Sequence, residues 1–206
     1  MGPAAGPEPL ALLGRHGSLN PMNIAYRTPL TVPEYLAWAD AQSERPRTEL
    51  IDGQIIRMAP ELIEHVELKL EIAIALRQAI EKAAMDFWVL TEGAAVAVSD
   101  GSAFQPDALV YAGPRLPRGT RVIPAPLLVV EILSPTTAHI DRGVKLAGYF
   151  TLPSLQHYLI IDPETMSVTH HQRRAAGSIA SDTLTGGTLT LDPPGLALDL
   201  DRILTR

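Results

Sequence analysis

The stretch VVEILSPTTAHIDRGVK, Val129–Lys145, has a carboxylate in the middle of an apolar run. Glu131 lies within Leu127–Leu133, a short apolar segment that predicts a buried strand. Burying an unpaired carboxylate costs several kcal/mol or more, so a fold keeps one only with a partner, a cation or a raised pKa. The side chains beside Glu131 therefore decide both how this segment folds and what chemistry it supports.

The composition is typical of a globular protein. The chain has 206 residues, of which 46% are hydrophobic and 19% charged, and this length accommodates a sizeable core. The absence of cysteine excludes a disulfide framework and a thiolate metal site, and it favours a reducing compartment, so we expect a cytoplasmic protein. No apolar run approaches the roughly 20 residues of a membrane-spanning helix, so no membrane association is expected.

Residues 1–26 differ in composition from the rest of the chain. The segment MGPAAGPEPLALLGRHGSLNP is rich in Pro, Gly and Ala and lacks the basic n-region of a secretion signal, and Met22 follows it. We expect a disordered extension or a tag remnant over 1–26 and a single domain over 27–206.

The charge distribution bears on possible partners. The net charge of −6 argues against non-specific coating of nucleic acid, because phosphate binding draws on clustered Lys and Arg. A local basic segment is nevertheless present, since Arg115, Arg118 and Arg121 lie in GPRLPRGTR, which contains no acid. On charge alone a solvated loop is the simpler interpretation. Its position between two strands with candidate carboxylates makes contact with a phosphate backbone the alternative.

The pattern of apolar residues and turn signals predicts one mixed domain. Thr31 and Glu34 have the spacing of a capping box, and Asp52-Gly53 between apolar pairs predicts a hairpin. Helices are predicted over Leu62–Ala84 and about Ala138–Phe150. The buried face of the first of these is expected to contain Val66, Leu70, Ala73, Leu76, Ile80 and Ala83. Strands are predicted over Phe87–Leu90, Ala94–Val98, Ala108–Tyr111, Leu127–Leu133, His157–Ile161 and Ser167–Gln172. This order predicts an α/β or α+β fold with one central sheet.

Two carboxylates lie on neighbouring predicted strands. Asp107 precedes the strand Ala108–Tyr111, and Glu131 lies within the next long strand. Such a pair can share Mg²⁺, which typically binds through one or two carboxylates and keeps several waters. The alternative, which each residue favours when taken alone, is that Asp107 shapes the turn after Pro106 and Glu131 pairs with a buried Lys or Arg.

A third group of residues makes the shared metal site the favoured one of these two interpretations. Asp141, Lys145 and Tyr149 are spaced i, i+4 and i+8, so they share one face of the second helix. If that helix folds back on the strand with Glu131, Lys145 can reach the carboxylates. An ammonium there can orient a water and neutralise charge that develops on a phosphate. In isolation, an exposed Asp141–Lys145 pair worth roughly 0.2–0.5 kcal/mol explains the same spacing.

Four segments occur in the order ELIDGQIIRM, QPDALVY, LVVEILSPTTAHIDRGVKLAGYF and LPSLQHYLIIDPE. In this order and at this spacing they resemble the Uma-two-type restriction endonuclease family, a branch of the PD-(D/E)XK nuclease superfamily. The resemblance extends from about Thr31 to Leu204, and EILSPTTAHIDRGVK followed by LPSL and YLIIDP is its most specific part. It implies a restriction-endonuclease-like core, with a mixed central β-sheet flanked by helices, and a metal-dependent endonuclease that hydrolyses phosphodiester bonds of DNA.

The resemblance also implies roles for single residues. Asp107 matches the Asp of the PD motif and Glu131 the acidic residue of (D/E)XK, so both are expected to bind Mg²⁺ or Mn²⁺. The usual lysine position, two residues after Glu131, is Leu133, and Lys145 on the following helix is expected to replace it. Glu49, in ELIDG, is expected to be a third carboxylate near the metal or its water. Replacing Lys145 with Ala is expected to abolish cleavage and leave the fold intact.

Other residues are assigned supporting roles. His65 is expected to contact a phosphate or a metal-bound water, although a lone His at a helix start is more often structural. Gln105 and Tyr149 are candidates for the layer of residues behind the metal ligands and for substrate binding. His157 stands where the family commonly has Glu, a departure that concerns loop shape or substrate contacts rather than catalysis. A homodimer is expected, because two sites cut both strands of a duplex most simply.

Two other functions remain open. A catalytically weak relative would bind nucleic acid or a partner protein without cutting, which agrees with the acidic net charge. A metal-dependent hydrolase of RNA or nucleotides would spare duplex DNA. The sequence contains no Walker loop, Ser–His–Asp set or zinc-binding cluster. His170 and His171 are adjacent in a predicted strand, where neighbouring side chains point to opposite faces, so we expect them at the surface.

Overall fold

The computed structural model describes residues 23–24, 28–44, 46–135 and 137–204. The predicted extension over 1–26 lies outside these residues, apart from the two that form the first strand. The chain divides into two compact units. Of the described residues, the first comprises those up to Pro60 together with Ala97–Phe104, and the second comprises Glu61–Val96 together with those from Gln105 onwards.

The bounds of the elements follow the predicted segments closely. The strands are β1 (Asn23–Ile24), β2 (Thr48–Ile51), β3 (Gln54–Arg57), β4 (Phe87–Thr91), β5 (Val96–Ser99), β6 (Ser102–Phe104), β7 (Ala108–Ala112), β8 (Pro126–Ile132), β9 (His157–Asp162), β10 (Ser167–Arg173), β11 (Ile179–Leu184), β12 (Thr188–Leu191) and β13 (Leu196–Asp199). The helices are α1 (Val32–Ala41), α2 (Ile63–Lys82), α3 (Ala138–Ile140), a π-helical turn (Asp141–Lys145), α4 (Leu146–Tyr149) and α5 (Leu200–Ile203). Among the described residues, no helix is both long and apolar enough to cross a membrane.

The first unit contains a five-stranded sheet in the order β1-β3-β2-β6-β5. The predicted hairpin joins β2 to β3. At its turn Asp52 and Gly53 have φ of 49° and 76°, the left-handed conformations that a tight two-residue hairpin turn requires.

Helix α1 of the first unit begins at the predicted capping residues. The Glu34 Oε2 atom accepts hydrogen bonds from the Thr31 backbone N–H at 2.8 Å and from the Thr31 hydroxyl at 2.7 Å. One turn further on, the Tyr35 hydroxyl donates to the Thr48 carbonyl at 2.6 Å. These contacts fix the start of α1 and hold the helix against β2.

The second unit contains a six-stranded sheet in the order β11-β10-β9-β8-β7-β4 and a β12–β13 ribbon. Strands β8 and β9 pair in parallel, whereas the other pairs in this sheet are antiparallel. A parallel pair needs a crossover connection, and α3, the π-helical turn and α4 provide it. The predicted mixed central sheet flanked by helices is therefore confirmed.

The core of the second unit lies on one face of this sheet. Val130 and Ile132 of β8 pack there with Ile72, Leu76 and Ile80 of α2. Strand residues alternate between faces, so Glu131, between Val130 and Ile132, points to the opposite face. That face is the one on which the crossover helix lies.

The buried face of α2 differs from the predicted one at its N-terminal end. Leu76 and Ile80 are buried as predicted, but Val66 and Leu70 are 49% and 60% exposed. Lys69, which is 4% exposed, lies on the buried face instead. The physical reason is that this end of the helix faces a carboxylate rather than apolar side chains, so the polar residues of the sequence turn inward.

Candidate active site

Asp107 is fixed on the backbone of the strand that contains Glu131. The Ile132 N–H donates a hydrogen bond to Asp107 Oδ2 at 2.7 Å. Strands β7 and β8 pair antiparallel with Ala108 opposite Val130, and one further step in this register places Asp107 opposite Glu131. The sheet therefore brings the backbones of the two predicted carboxylate residues to adjacent positions.

Glu131 is buried together with the lysine expected to reach it. The Lys145 ammonium donates to Glu131 Oε1 at 3.0 Å, and the Tyr149 hydroxyl donates to the same oxygen at 2.7 Å. The Lys145 and Glu131 side chains are only 2% and 4% exposed. The carboxylate in the apolar strand is thus compensated by a buried ammonium and a phenol. This contact agrees both with the expected catalytic group and with the structural ion pair that was its alternative.

Asp141 holds Lys145 from the other side. Its Oδ1 lies 3.1 Å from the Lys145 Nζ, and its Oδ2 accepts from the Thr137 hydroxyl at 3.0 Å. The Tyr158 hydroxyl donates to the Asp141 backbone carbonyl at 3.0 Å. The Asp141–Lys145 pair is therefore buried, and its interpretation as an exposed helix pair is wrong. The pair spans a π-helical turn, a type of helix widening that is frequent at functional sites.

A second buried lysine lies at Asp107. The Lys69 ammonium is 2.8 Å from Asp107 Oδ1, 2.5 Å from Glu61 Oε1 and 2.5 Å from Glu92 Oε1. His65 Nε2 lies 3.3 Å from Asp107 Oδ2. Burial opposes the ammonium form of Lys69, but attraction to Asp107 and the hydrogen bonds to the three carboxylates outweigh it and raise the pKa of Lys69.

The same contacts keep Asp107 ionised. Burial alone would raise its pKa, but the His65 hydrogen bond and the charge of Lys69 outweigh it, and the pKa of Asp107 falls to about 2. Asp107 and Glu131 are therefore two buried carboxylates, each held by a lysine from a different helix.

The sequence did not predict all of the residues that surround Asp107. Among the described residues, Glu61, His65 and Asp107 offer one potential metal-ligand atom each within 4.8 Å of one another. Of these, Glu61 was not expected at the site, and neither were Lys69 and Glu92. The available signal was the i, i+4 spacing of His65 and Lys69, which places these two on one helix face, whereas Glu61 precedes the helix.

The other residues predicted to belong to the site are Glu49, Gln105 and three arginines. Glu49 is buried in β2 of the first unit, and Gln105 is half-buried two residues before Asp107. Their roles stay predictions. Arg115, Arg118 and Arg121 are exposed in the β7–β8 connection, and the Arg115 guanidinium lies 5.2 Å from the centre of the Trp88 ring.

The expectation that His170 and His171 lie at the surface is wrong, since both are buried. His170 Nε2 lies 2.9 Å from His157 Nδ1, and His171 Nδ1 lies 2.7 Å from the Ser181 hydroxyl. The physical reason is that β10 is an interior strand with both faces covered, so consecutive side chains are enclosed on opposite sides.

Comparison with known proteins shows which family the chain belongs to. The model of the Uma2 family, whose description is "Putative restriction endonuclease", matches residues 32–204. The chain belongs to this family. The predicted family is therefore confirmed, and the match covers both compact units.

Individual relatives agree with this membership. An uncharacterised protein of Synechocystis sp. is 31% identical over 154 residues, which are 74% of this chain and 85% of that protein. A second uncharacterised Synechocystis protein is 28% identical over 149 residues, or 72% and 76% of the two chains. A crystal structure from Anabaena variabilis, described as "a putative nuclease belonging to DUF820", has a TM-score of 0.67 and 19% identity, and the likeness covers 85% of this chain and 98% of that one. At this identity the likeness shows the fold.

Proposed function

We propose that this Uma2-family protein is a metal-dependent endonuclease that hydrolyses phosphodiester bonds of DNA. The observation that carries the proposal is the buried contact between the Lys145 ammonium and Glu131 at 3.0 Å. The usual lysine position of a (D/E)XK motif is Leu133 here, and Lys145 reaches the carboxylate from the crossover helix instead. The chain therefore pairs an acid and a lysine without the usual spacing.

The donor set fits a hard divalent cation. Carboxylate oxygens of Asp107 and Glu131 and a backbone carbonyl near Ile132 are the kind of ligands that Mg²⁺ and Mn²⁺ prefer. The Ile132 N–H hydrogen bond fixes the Asp107 carboxylate on the backbone of the strand that contains Glu131. That Glu49 adds a third carboxylate stays a prediction of the family resemblance. When bound, the ion would supply a water of lowered pKa and stabilise the leaving oxygen.

The chain's own residues complete the mechanism. Lys145 orients the attacking water and neutralises charge on the phosphate, and Asp141 and Tyr149 keep Lys145 and Glu131 in place. His65 contacts a phosphate or a metal-bound water beside Asp107, and Gln105 lies behind the metal ligands. The exposed Arg115, Arg118 and Arg121 contact the DNA backbone. A homodimer would present two such sites to the two strands of a duplex.

A cleavage assay tests this function. Supercoiled plasmid is incubated with Mg²⁺ or Mn²⁺ and with the wild type, Lys145→Met or Lys82→Met. Lys82 is exposed at the end of α2, so its variant controls for the loss of a lysine. We expect metal-dependent cutting by the wild type and the control, and a rate at least about a hundredfold lower for Lys145→Met, since this is the scale of losing one charge-stabilising group. Full activity in folded Lys145→Met would remove Lys145 from the mechanism.

The same preparation separates the other functions. Duplex binding without metal-dependent turnover would indicate a non-cutting binding protein. Hydrolysis of RNA or nucleotides with duplex DNA spared would indicate a different substrate. Calorimetry of Mg²⁺ and Mn²⁺ with the wild type and Glu131→Ala addresses the metal directly, because loss of binding in a variant that keeps its fold would support a place for Glu131 in the ion site.

A further inference from the structure

The environment of Lys69 has the geometry of a cation site. Its ammonium contacts three carboxylates at once, at 2.5 Å from Glu61, 2.5 Å from Glu92 and 2.8 Å from Asp107. Its side chain is 5% exposed, so water replaces little of this contact. His65 Nε2, 3.3 Å from the other Asp107 oxygen, adds a nitrogen ligand to the same group.

Removing the ammonium from this group would leave an unbalanced cluster. Three carboxylates would remain around the Lys69 position, of which Asp107 and Glu61 are 7% and 15% exposed and Glu92 is 40% exposed. Buried carboxylates such as Asp107 are tolerated only when paired or bound to a metal. Their oxygens and the imidazole are ligands that Mn²⁺ accepts. Lys69 therefore occupies the place where this set of residues would hold a divalent ion.

We propose that Lys69 is a built-in cation, which fills a second cation position beside Asp107 so that the site takes one exchangeable metal ion rather than two. Two-metal nuclease sites place their ions roughly 3.5–4 Å apart around shared carboxylates, and Asp107 is the carboxylate that would be shared here. Lys69 is thus a positioning residue that acts through Asp107. Its part in catalysis rests on the proposed function, whereas its occupancy of a cation position does not.

The number of Mn²⁺ ions bound per chain tests the inference. Mn²⁺ is titrated into the full chain, and free ion is counted by electron paramagnetic resonance, for the wild type, Lys69→Met and the exposed-lysine control Lys82→Met. We expect Lys69→Met to bind one Mn²⁺ more than the wild type and Lys82→Met to match the wild type. The added ion should show hyperfine coupling to imidazole nitrogen, and His65→Gln introduced into Lys69→Met should remove that coupling.

The outcomes separate this inference from the proposed function. One ion in Lys69→Met and none in the wild type would support the inference and contradict the metal-dependent nuclease. One ion in each would overturn the inference and leave the nuclease intact, and no ion in either would contradict both. If Lys69→Met does not fold alone, circular dichroism must show that Mn²⁺ restores the fold. Failure of Mn²⁺ to do so would overturn the inference.

Discussion

At the scale of single residues, Glu131 and Lys145 depend on each other. Both are almost inaccessible, and Asp141 lies 3.1 Å from the same ammonium. Removing one partner of a buried ion pair costs about 3–5 kcal/mol, because the other charge is left buried without compensation. We therefore predict that Lys145→Ala lowers the free energy of unfolding by about 3 kcal/mol or more, whereas the sequence alone led us to expect an intact fold.

Urea unfolding measures this cost. Lys82→Met, at an exposed position, should change the free energy of unfolding by no more than about 0.5 kcal/mol. A change equally small for Lys145→Ala would show that Glu131 and Asp141 find other partners. The activity of any Lys145 variant therefore has to be measured below its unfolding temperature, and Lys145→Met is preferred because it keeps the volume of the aliphatic chain.

The buried pair His157 and His170 makes stability depend on pH. His157 Nε2 lies 2.6 Å from the Pro193 carbonyl, which only accepts, so Nε2 bears the proton and Nδ1 accepts from His170 Nε2–H. Burial lowers the pKa of His157, and burial followed by the neighbouring His157 lowers the pKa of His170 to about 4. The unfolded chain, with ordinary histidines, therefore binds more protons than the folded chain below about pH 6.5.

We predict that the free energy of unfolding is at its full value above pH 6.5 and falls steadily between pH 6.5 and 4. Urea unfolding at pH 7, 6 and 5 measures the slope. His170→Gln should reduce it, because the amide can still donate to His157 but does not titrate in this range. His139→Gln, at an exposed histidine on α3, is the matched control. An equal slope in the wild type and His170→Gln would contradict this assignment.

At the scale of elements, the sequence predicts those segments whose signal is local. The Asp52-Gly53 hairpin and the Thr31–Glu34 cap formed as predicted, because turn and cap residues act within a few positions. The inward face of α2 near Lys69 was not predictable in the same way, since it depends on Asp107, far along the chain. The π-helical turn is likewise a response to packing around Asp141 and Lys145, and no local pattern marks it.

The β2–β3 turn gives a prediction at this scale. Gly53 has φ of 76°, and a Cβ there would meet the Pro29 Cβ and lie 2.8 Å from the Pro29 Cα. Gly113 has φ of 94° but no atom within 4 Å of such a Cβ. Left-handed backbone costs a non-glycine residue about 1–2 kcal/mol, and overpacking adds about 1–3 kcal/mol. We predict that Gly53→Ala destabilises the protein by at least about 1 kcal/mol more than Gly113→Ala in urea unfolding. Equal losses would show that Pro29 moves aside at no cost.

At the scale of the whole molecule, sequence order predicted the type of fold but not the partners of each strand. Strands β7 to β10 were recognised from their own residues, whereas the parallel pairing of β8 with β9 depends on a crossover that local periodicity does not encode. β11 was missed because most of its residues are exposed and polar, so it shows no buried face to detect. The family resemblance, from about Thr31 to Leu204, implied the mixed central sheet flanked by helices, which local patterns do not show.

If the protein acts on DNA as proposed, the charge of the whole molecule makes the β7–β8 connection decisive for binding it. The net charge is −6, so phosphates are repelled except where basic residues cluster, and Arg115, Arg118 and Arg121 are such a cluster on an exposed segment. Each phosphate contact contributes about 0.9 to the slope of log affinity against log salt concentration. We predict that changing all three to Ala in the Lys145→Met background, where DNA is not cut, lowers this slope by about 2 to 3 in fluorescence anisotropy titrations with a duplex. The control changes three exposed arginines elsewhere to Ala in the same background, namely Arg77, Arg174 and Arg202. An equal fall in the slope for this control would show that net charge, rather than the β7–β8 connection, controls the measured binding.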